Sequence, residues 1–302
     1  MMTRRECLLA PALAAARPEG VLVESHVHLF DPKRFPYHPN ATYKPPAQPL
    51  EDYVRFVREA RIAHAVIVHP EPYQDDHRYL EYAFANEPSA GFFKGTCLFD
   101  PVDPATPGRM RALVDRLPGR IVALRIHETH KPGTPPTTSG AIRDRDLAAP
   151  AMARTWTAAR ELKLAIQFNA IPHYAPQIDA LASRFREVPV ILDHLAHAGE
   201  GTAAEFDAVL RLARLPRVYI KLSGVNYSSR QPFPHRDAKL LVRRAFDAFG
   251  PRRMVWGVLG MNRADFEKAV TLFDEMLDFA NARDRAFIRG GNALELYGFS
   301  RG

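Results

Sequence analysis

The sequence has little cysteine, no long hydrophobic run and no long basic run, and each absence removes a class of protein. Its two cysteines, Cys7 and Cys97, supply neither a disulfide framework nor the close thiol spacing of a zinc–thiolate site. Cys97 reads as a core thiol. No apolar stretch approaches the roughly 20 residues that span a bilayer, so no membrane span is expected. The formal net charge is +7, but Lys and Arg are scattered, which leaves a nucleic-acid groove unsupported. A positive cleft that steers a small anionic substrate is the better use of this charge. Nor is there a glycine-rich phosphate turn after an early strand, which an open, doubly wound nucleotide-binding sheet would need. Nothing in the pattern fixes an oligomeric state.

What the chain does have is the material of a large core. Hydrophobic residues make up 46% and charged residues 25% of its 302 positions. That suits one α/β barrel of about 250 residues with extensions. The start of the chain stands apart. Thr3-Arg4-Arg5 precedes an apolar, small-residue segment, Cys7 to Ala16. This is the layout of an export signal of the twin-arginine kind over residues 1–18, with the folded domain at 19–302. It predicts a periplasmic or otherwise exported protein. Without it the chain would be cytoplasmic.

From Val21 onward, short apolar runs alternate with helical patterns. The apolar runs are 21–28, 65–70, 91–99, 121–127, 164–169, 188–192, 217–223 and 254–257. Helical spacing falls at 50–62, 78–86, 106–116, 148–161, 175–186, 202–213, 236–249 and 263–281, with a short closing helix at 290–297. Buried strands alternating with amphipathic helices predict a parallel sheet, and eight units predict a closed (β/α)8 TIM barrel. The Pro-rich loop at 31–49 is expected to shape a mouth, and the loop at 128–147 to act as a lid or binding loop.

In such a barrel the active site lies at the carboxyl ends of the strands. Alternation puts Glu24, His26 and His28 on one face of the first strand. Two imidazoles there make a metal-ligand pair or an electrophile pair. Further strand ends carry His69, Arg125 with His127, Gln167 with Asn169, His194, and Lys221 with Ser223. Polarity at a solvent-facing strand end explains one or two of these. It does not explain cationic or imidazole side chains on five strands. Arg125 and Lys221 suit a substrate carboxylate, Arg by a bidentate grip. His69, Tyr73, Gln167, Asn169, Ser223 and Tyr227 are candidate substrate contacts. His26, His28 and His194 are candidate metal ligands, with Glu24 as a weaker fourth.

These residues carry a resemblance. The matching pieces are Ser25 to Asp31, Pro72-Tyr73 with Asp76, Val122 to Arg125, Leu192 to Leu195, Ile220 to Gly224, and Gly291 to Ala293 with Leu296-Tyr297. In that order the chain resembles the amidohydrolase superfamily, in the amidohydrolase-related branch that includes 2-pyrone-4,6-dicarboxylate lactonase and related decarboxylases. The resemblance implies that His26, His28 and His194 meet in one site. In metal-using members such histidines hold a divalent ion, typically zinc, which activates water. The lactonase branch is similar in layout but works without a metal, its histidines polarising the carbonyl.

The sequence departs from that pattern in three places. Glu24 stands where the family has Asp, and Gln167 where metal-using members often place a histidine. Leu259 occupies the position of the eighth-strand aspartate that binds metal and moves a proton, which a leucine cannot do. Three readings follow. The chain is a hydrolase of a small lactone or carboxylated cyclic substrate that uses another base, with His127, His194, Glu24 and Lys221 as candidates. Or it is a decarboxylase or isomerase acting on a similar acid. Or it is a catalytically silent barrel that binds a ligand.

Overall fold

A computed structural model of the protein describes residues 20–131, 133–134, 146–260 and 262–300. The expected export signal, with Cys7, lies outside the described residues, as does most of the expected lid at 128–147.

The strands are β1 Val23–Val27, β2 His64–Ile67, β3 Phe93–Leu98, β4 Ile121–Glu128, β5 Ala165–Ala170, β6 Val190–Leu192, β7 Val218–Leu222 and β8 Met254–Trp256. All neighbours pair in parallel, in the order β1 to β8. The seam between β8 and β1 is closed by side chains and single hydrogen bonds. Leu259 N–H donates to the His26 carbonyl at 3.1 Å. Ser25 Oγ–H donates to the Trp256 carbonyl. The Glu24 carboxylate accepts from Val258 N–H at 2.8 and 2.9 Å and from His26 N–H at 2.7 Å. The fold is the expected (β/α)8 barrel.

The helices are α1 Leu50–Ala60, α2 Arg78–Ala85, α3 Thr106–Arg116, α4 Pro150–Glu161, α5 Ala175–Arg184, α6 Ala203–Arg211, α7 Lys239–Phe249, α8 Arg263–Met276, α9 Ala282–Ala286 and α10 Asn292–Tyr297. Their starts follow local chemistry. At α6, Thr202 and Glu205 form a reciprocal capping box, which engages two otherwise unpaired backbone N–H groups. The buried face of α1 is Leu50, Tyr53, Phe56 and Val57, at helical spacing. One expectation changes. The pattern at 263–281 reads as one helix, but Asn281 accepts the Asp284 N–H and starts α9 separately. Among the described residues no helix is long and apolar enough to cross a membrane.

Inside the barrel the residues sort into layers. Val23, Val66, Ala123, Ala165, Ile191 and Val255 form an apolar layer, packed below against Ala293, Leu294 and Tyr297 of α10. The plug needs Gly290: a Cβ there would stand 1.9 Å from the Val21 carbonyl oxygen. Two residues further along β4, β5 and β6 the layer turns polar, with Arg125, Gln167 and Asp193.

Candidate active site

The polar layer is built around Asp193, the first residue after β6, which is fully buried. Its Oδ2 accepts from Arg125 Nε at 3.1 Å and from Gln167 Nε2 at 3.0 Å. Lys221 Nζ stands 3.1 Å from Oδ1, as an ion pair, and His26 Nδ1 stands 3.5 Å from the same atom. Burial alone would raise the Asp193 pKa. The cations Lys221 and Arg125 hold it well below the carboxylate range.

The tautomers in this layer follow from partners of fixed sense. His28 Nδ1 lies 2.7 Å from the Val68 carbonyl, which only accepts, so this nitrogen carries the proton and Nε2 is the acceptor. His26 Nε2, 3.3 Å away, then donates to His28 Nε2. His26 Nδ1 is left as an acceptor and faces Lys221 Nζ at 3.4 Å; Lys221 also donates to the Ser25 carbonyl at 3.0 Å. With Asp193 beside it, Lys221 is an ammonium, although burial pulls its pKa below that of an ordinary lysine.

The histidines are held neutral. Burial, reinforced by Arg125, pushes His28 down to about 3. Burial likewise holds His26, His127 and His194 well below the ordinary imidazole value. Ring centroids lie 4.9 Å apart for His26 and His28, and 4.6 Å apart for His26 and His194. The three histidines and Arg125 therefore do meet at one end of the barrel.

Above this layer opens a cavity of about 600 Å³. Its wall carries His28, Arg125, His127, Asn169 and His194, expected from the strand ends, and Tyr227, a candidate substrate contact beyond β7. The loop at 31–49 contributes Thr42, Tyr43 and Gln48, as a mouth-forming loop should. Two groups on this wall are open. His194 Nδ1 pairs with Ser223 Oγ at 2.9 Å, and Nε2 has no hydrogen-bond partner among the described residues. Arg125 bonds Asp193 through Nε alone, and neither terminal nitrogen bonds a described residue.

Other expected contacts sit elsewhere. His26, Lys221 and Gln167 lie beneath the cavity, bound to Asp193 and to each other, so Lys221 does not share an anion with Arg125 on the wall. Glu24 is engaged at the β1–β8 seam by backbone N–H groups, and burial raises its pKa to about 8. It is not one of the groups that converge on a common point. Tyr73 Oη accepts from Asp31 N–H behind the loop. His69 pairs with the Gln74 carbonyl and packs on His77. Leu259 is on the cavity wall, with φ +58°.

Sequence reasoning missed Asp193, quoted there only as part of a motif. Its signal was its phase: it lies two residues past buried Ile191 on an inward-facing register. It also missed His197, Glu71, Glu200 and Asp265, which share the cavity wall. His197 arrives through a left-handed turn, His194 to His197, with φ between 51° and 54°. Such backbone costs on the order of 1–2 kcal/mol per residue. It is held by His197 Nδ1 to Glu200 at 2.8 Å, His197 Nε2 to Asn169 Oδ1 at 2.8 Å, and Ser223 on His194.

His26, Asp193 and His194 each place a donor atom within 4.8 Å of the others, a grouping that could hold a metal ion.

Comparison with known proteins gives a consistent family. A model of the family described as amidohydrolase matches residues 23–299. A 4-sulfomuconolactone hydrolase of Hydrogenophaga intermedia is 25% identical over 295 residues, covering 91% of this chain and 88% of that protein. Among solved structures, a probable 2-pyrone-4,6-dicarboxylic acid hydrolase of Acinetobacter baumannii, with citric acid bound, superposes with a TM-score of 0.74 at 18% identity, covering 92% of this chain and 99% of that one. An amidohydrolase of Burkholderia multivorans with bound zinc gives a TM-score of 0.65 at 18% identity, covering 93% and 100%.

Proposed function

The chain belongs to the amidohydrolase family, whose members are enzymes, and from that premise we propose that it hydrolyses a small lactone bearing an anionic group, without a metal ion. The observation that carries this reading is a pair of groups on one cavity wall, the Nε2 of His194 and the terminal nitrogens of Arg125, which have no hydrogen-bond partner among the described residues. The lactone hydrolases among its relatives support the substrate class.

In this reading the Arg125 fork grips the anionic group of the substrate. A water between the lactone carbonyl and His194 gives a proton to Nε2, while Nδ1–H donates to Ser223 Oγ. The new C–O bond forms at the carbonyl carbon, and the ring C–O bond breaks. His194 then returns its proton to the leaving alkoxide, so the product is a hydroxy acid. His28, on the same wall, fixes the pocket floor through its bond to His26. No eighth-strand carboxylate is required; Leu259 stands at that position, with Asp265 of α8 beside it on the cavity wall.

The donor set does not fit a divalent ion. Asp193 is the one carboxylate in the grouping, and an ammonium and a guanidinium already neutralise it. A dication there would face two permanent cations in a buried setting. His28 Nε2 is engaged by His26 rather than free to ligate. The Lys221–Asp193–Arg125 cluster supplies the fixed positive field that an ion would otherwise bring.

The test is a panel of lactones with and without a carboxylate, followed by proton release. The parent protein should open the carboxylated members. Arg125→Met should raise KM for them selectively, and His194→Gln should lower kcat by about 10²–10⁴. No turnover of any lactone by the parent would overturn the reading.

A further inference from the structure

His127 follows Arg125 by two residues on β4, on the same face of the strand. It is 7% exposed and lines the cavity with Arg125 and His194. Its Nδ1 is enclosed without a hydrogen-bond partner. Its Nε2 has none among the described residues. Asn169, across from it in the β4–β5 register, is turned to His197 instead. His28 and His194, on the same wall, each hold a partner through Nδ1. A buried imidazole whose ring makes no hydrogen bond has lost its hydration without compensation inside the protein.

The state of the ring follows from its surroundings. Burial, and after it the Arg125 guanidinium, keeps the ring neutral, so it carries one N–H and one lone pair. An enclosed N–H without an acceptor is rarer and costlier than an enclosed lone pair. The proton therefore belongs on Nε2, the nitrogen that a ligand can reach. Sequence reasoning counted His127 among the candidate bases; a ring whose proton faces the cavity donates instead.

The lactone opening described above leaves one developing charge without a partner. His194 takes the proton of water and Arg125 grips the anionic group, but the carbonyl oxygen becomes an oxyanion when water adds. Resting on that hydrolase reading, we propose that His127 is the oxyanion donor: its Nε2–H holds the lactone carbonyl oxygen and, after attack, the oxyanion of the tetrahedral adduct. The imidazole keeps its proton throughout. When the ring C–O bond breaks, the C=O bond re-forms, and the electron pair leaves on the alkoxide that His194 protonates. A neutral donor suits a place beside Arg125, where a second cation would be repelled. Its hydrogen bond strengthens as charge develops on the oxygen, which is what accelerates the step.

Kinetics on a carboxylated lactone, combined with ligand binding, separate this role from others. His127→Leu, which fills the space without a donor, should lower kcat by about 10²–10³. Its KM should stay within about threefold of the parent value. His127→Gln, which offers an N–H but is no base, should return kcat to within about tenfold of the parent. A carboxylated cyclic phosphonate, which imitates the tetrahedral adduct, should bind His127→Leu more weakly by the factor that kcat falls. Cyclopentanecarboxylate, which has no such oxygen, should keep its Kd and so report an intact Arg125 site. A kcat in His127→Leu within about threefold of the parent overturns the assignment and leaves the hydrolase reading standing. A His127→Gln variant as inactive as His127→Leu, with the ring acid still bound, also overturns it, because His127 would then be moving a proton. Should the leucine variant fail to fold, His127→Phe takes its place under the same criteria. If the parent opens no lactone, the hydrolase reading falls and this assignment with it.

Discussion

The two ends of this barrel are made from the same strands, two residues apart. At the plugged end Ala123, Ala165, Ile191 and Val255 point inward and meet Leu294 and Tyr297. One inward step later β4, β5 and β6 present Arg125, Gln167 and Asp193. The apolar end gains stability from burial in proportion to area and asks nothing of geometry. At the polar end every buried group depends on a particular partner, because an unpaired charge there is costly. The contrast says which substitutions are tolerated where. It also says why function sits at one end: the polar layer ties its charges to Asp193, while His194 Nε2 and the Arg125 terminal nitrogens, which have no hydrogen-bond partner among the described residues, belong to side chains on the cavity wall.

The sharpest way to break this contrast is to remove the charge at its centre. Asp193→Asn leaves Lys221 and Arg125 buried without an anion, and should cost about 3–5 kcal/mol in urea unfolding. A loss below about 1 kcal/mol would mean that the cations are paired by something else. At the other end, Leu294→Ala should cost about 2–3 kcal/mol through the lost contacts and cavity, with kcat on a carboxylated lactone unchanged. A fall in kcat without unfolding would show that the two ends are coupled. The last effect, read as a slope against pH and not at one condition, concerns His69, which lies off the cavity wall. Burial holds its pKa down to about 4, against an ordinary value of 6.5. The unfolded chain binds a proton below 6.5 that the folded chain refuses. Stability is thus full above 6.5, falls as pH drops, and levels near 4. His69→Asn should flatten that fall by up to about 1.4 kcal/mol per pH unit. An unchanged pH profile would place the titration elsewhere.

The barrel was legible because its strands are short apolar runs and its helices keep their spacing; α3 falls at the expected residues, Thr106–Arg116. The convergence of His26, His28, His194 and Arg125 followed from strand ends in a closed sheet. What sequence could not give was which polar residue is buried and which faces the cavity. Lys221 of β7 and Arg125 of β4 look alike as cations near the carboxyl ends of their strands. Only packing shows that Lys221 is engaged below by Ser25, His26 and Asp193, while Arg125 reaches past Asp193 to the wall. The alternation that put Glu24 beside His26 was broken by a register shift between Glu24 and Val27, and by the demand of Val258 N–H at the seam. His197 was hidden because four consecutive non-glycine residues in left-handed backbone have no sequence signature.

The central claim is that Lys221 and Arg125, set around Asp193, stand in place of an ion. Its most direct test is the rate of opening of a carboxylated lactone before and after exhaustive dialysis against a chelator, with metal content measured on the same sample. The account predicts an unchanged rate at less than about a tenth of an equivalent of metal. A rate that vanishes with the metal and returns with one equivalent of zinc would contradict it.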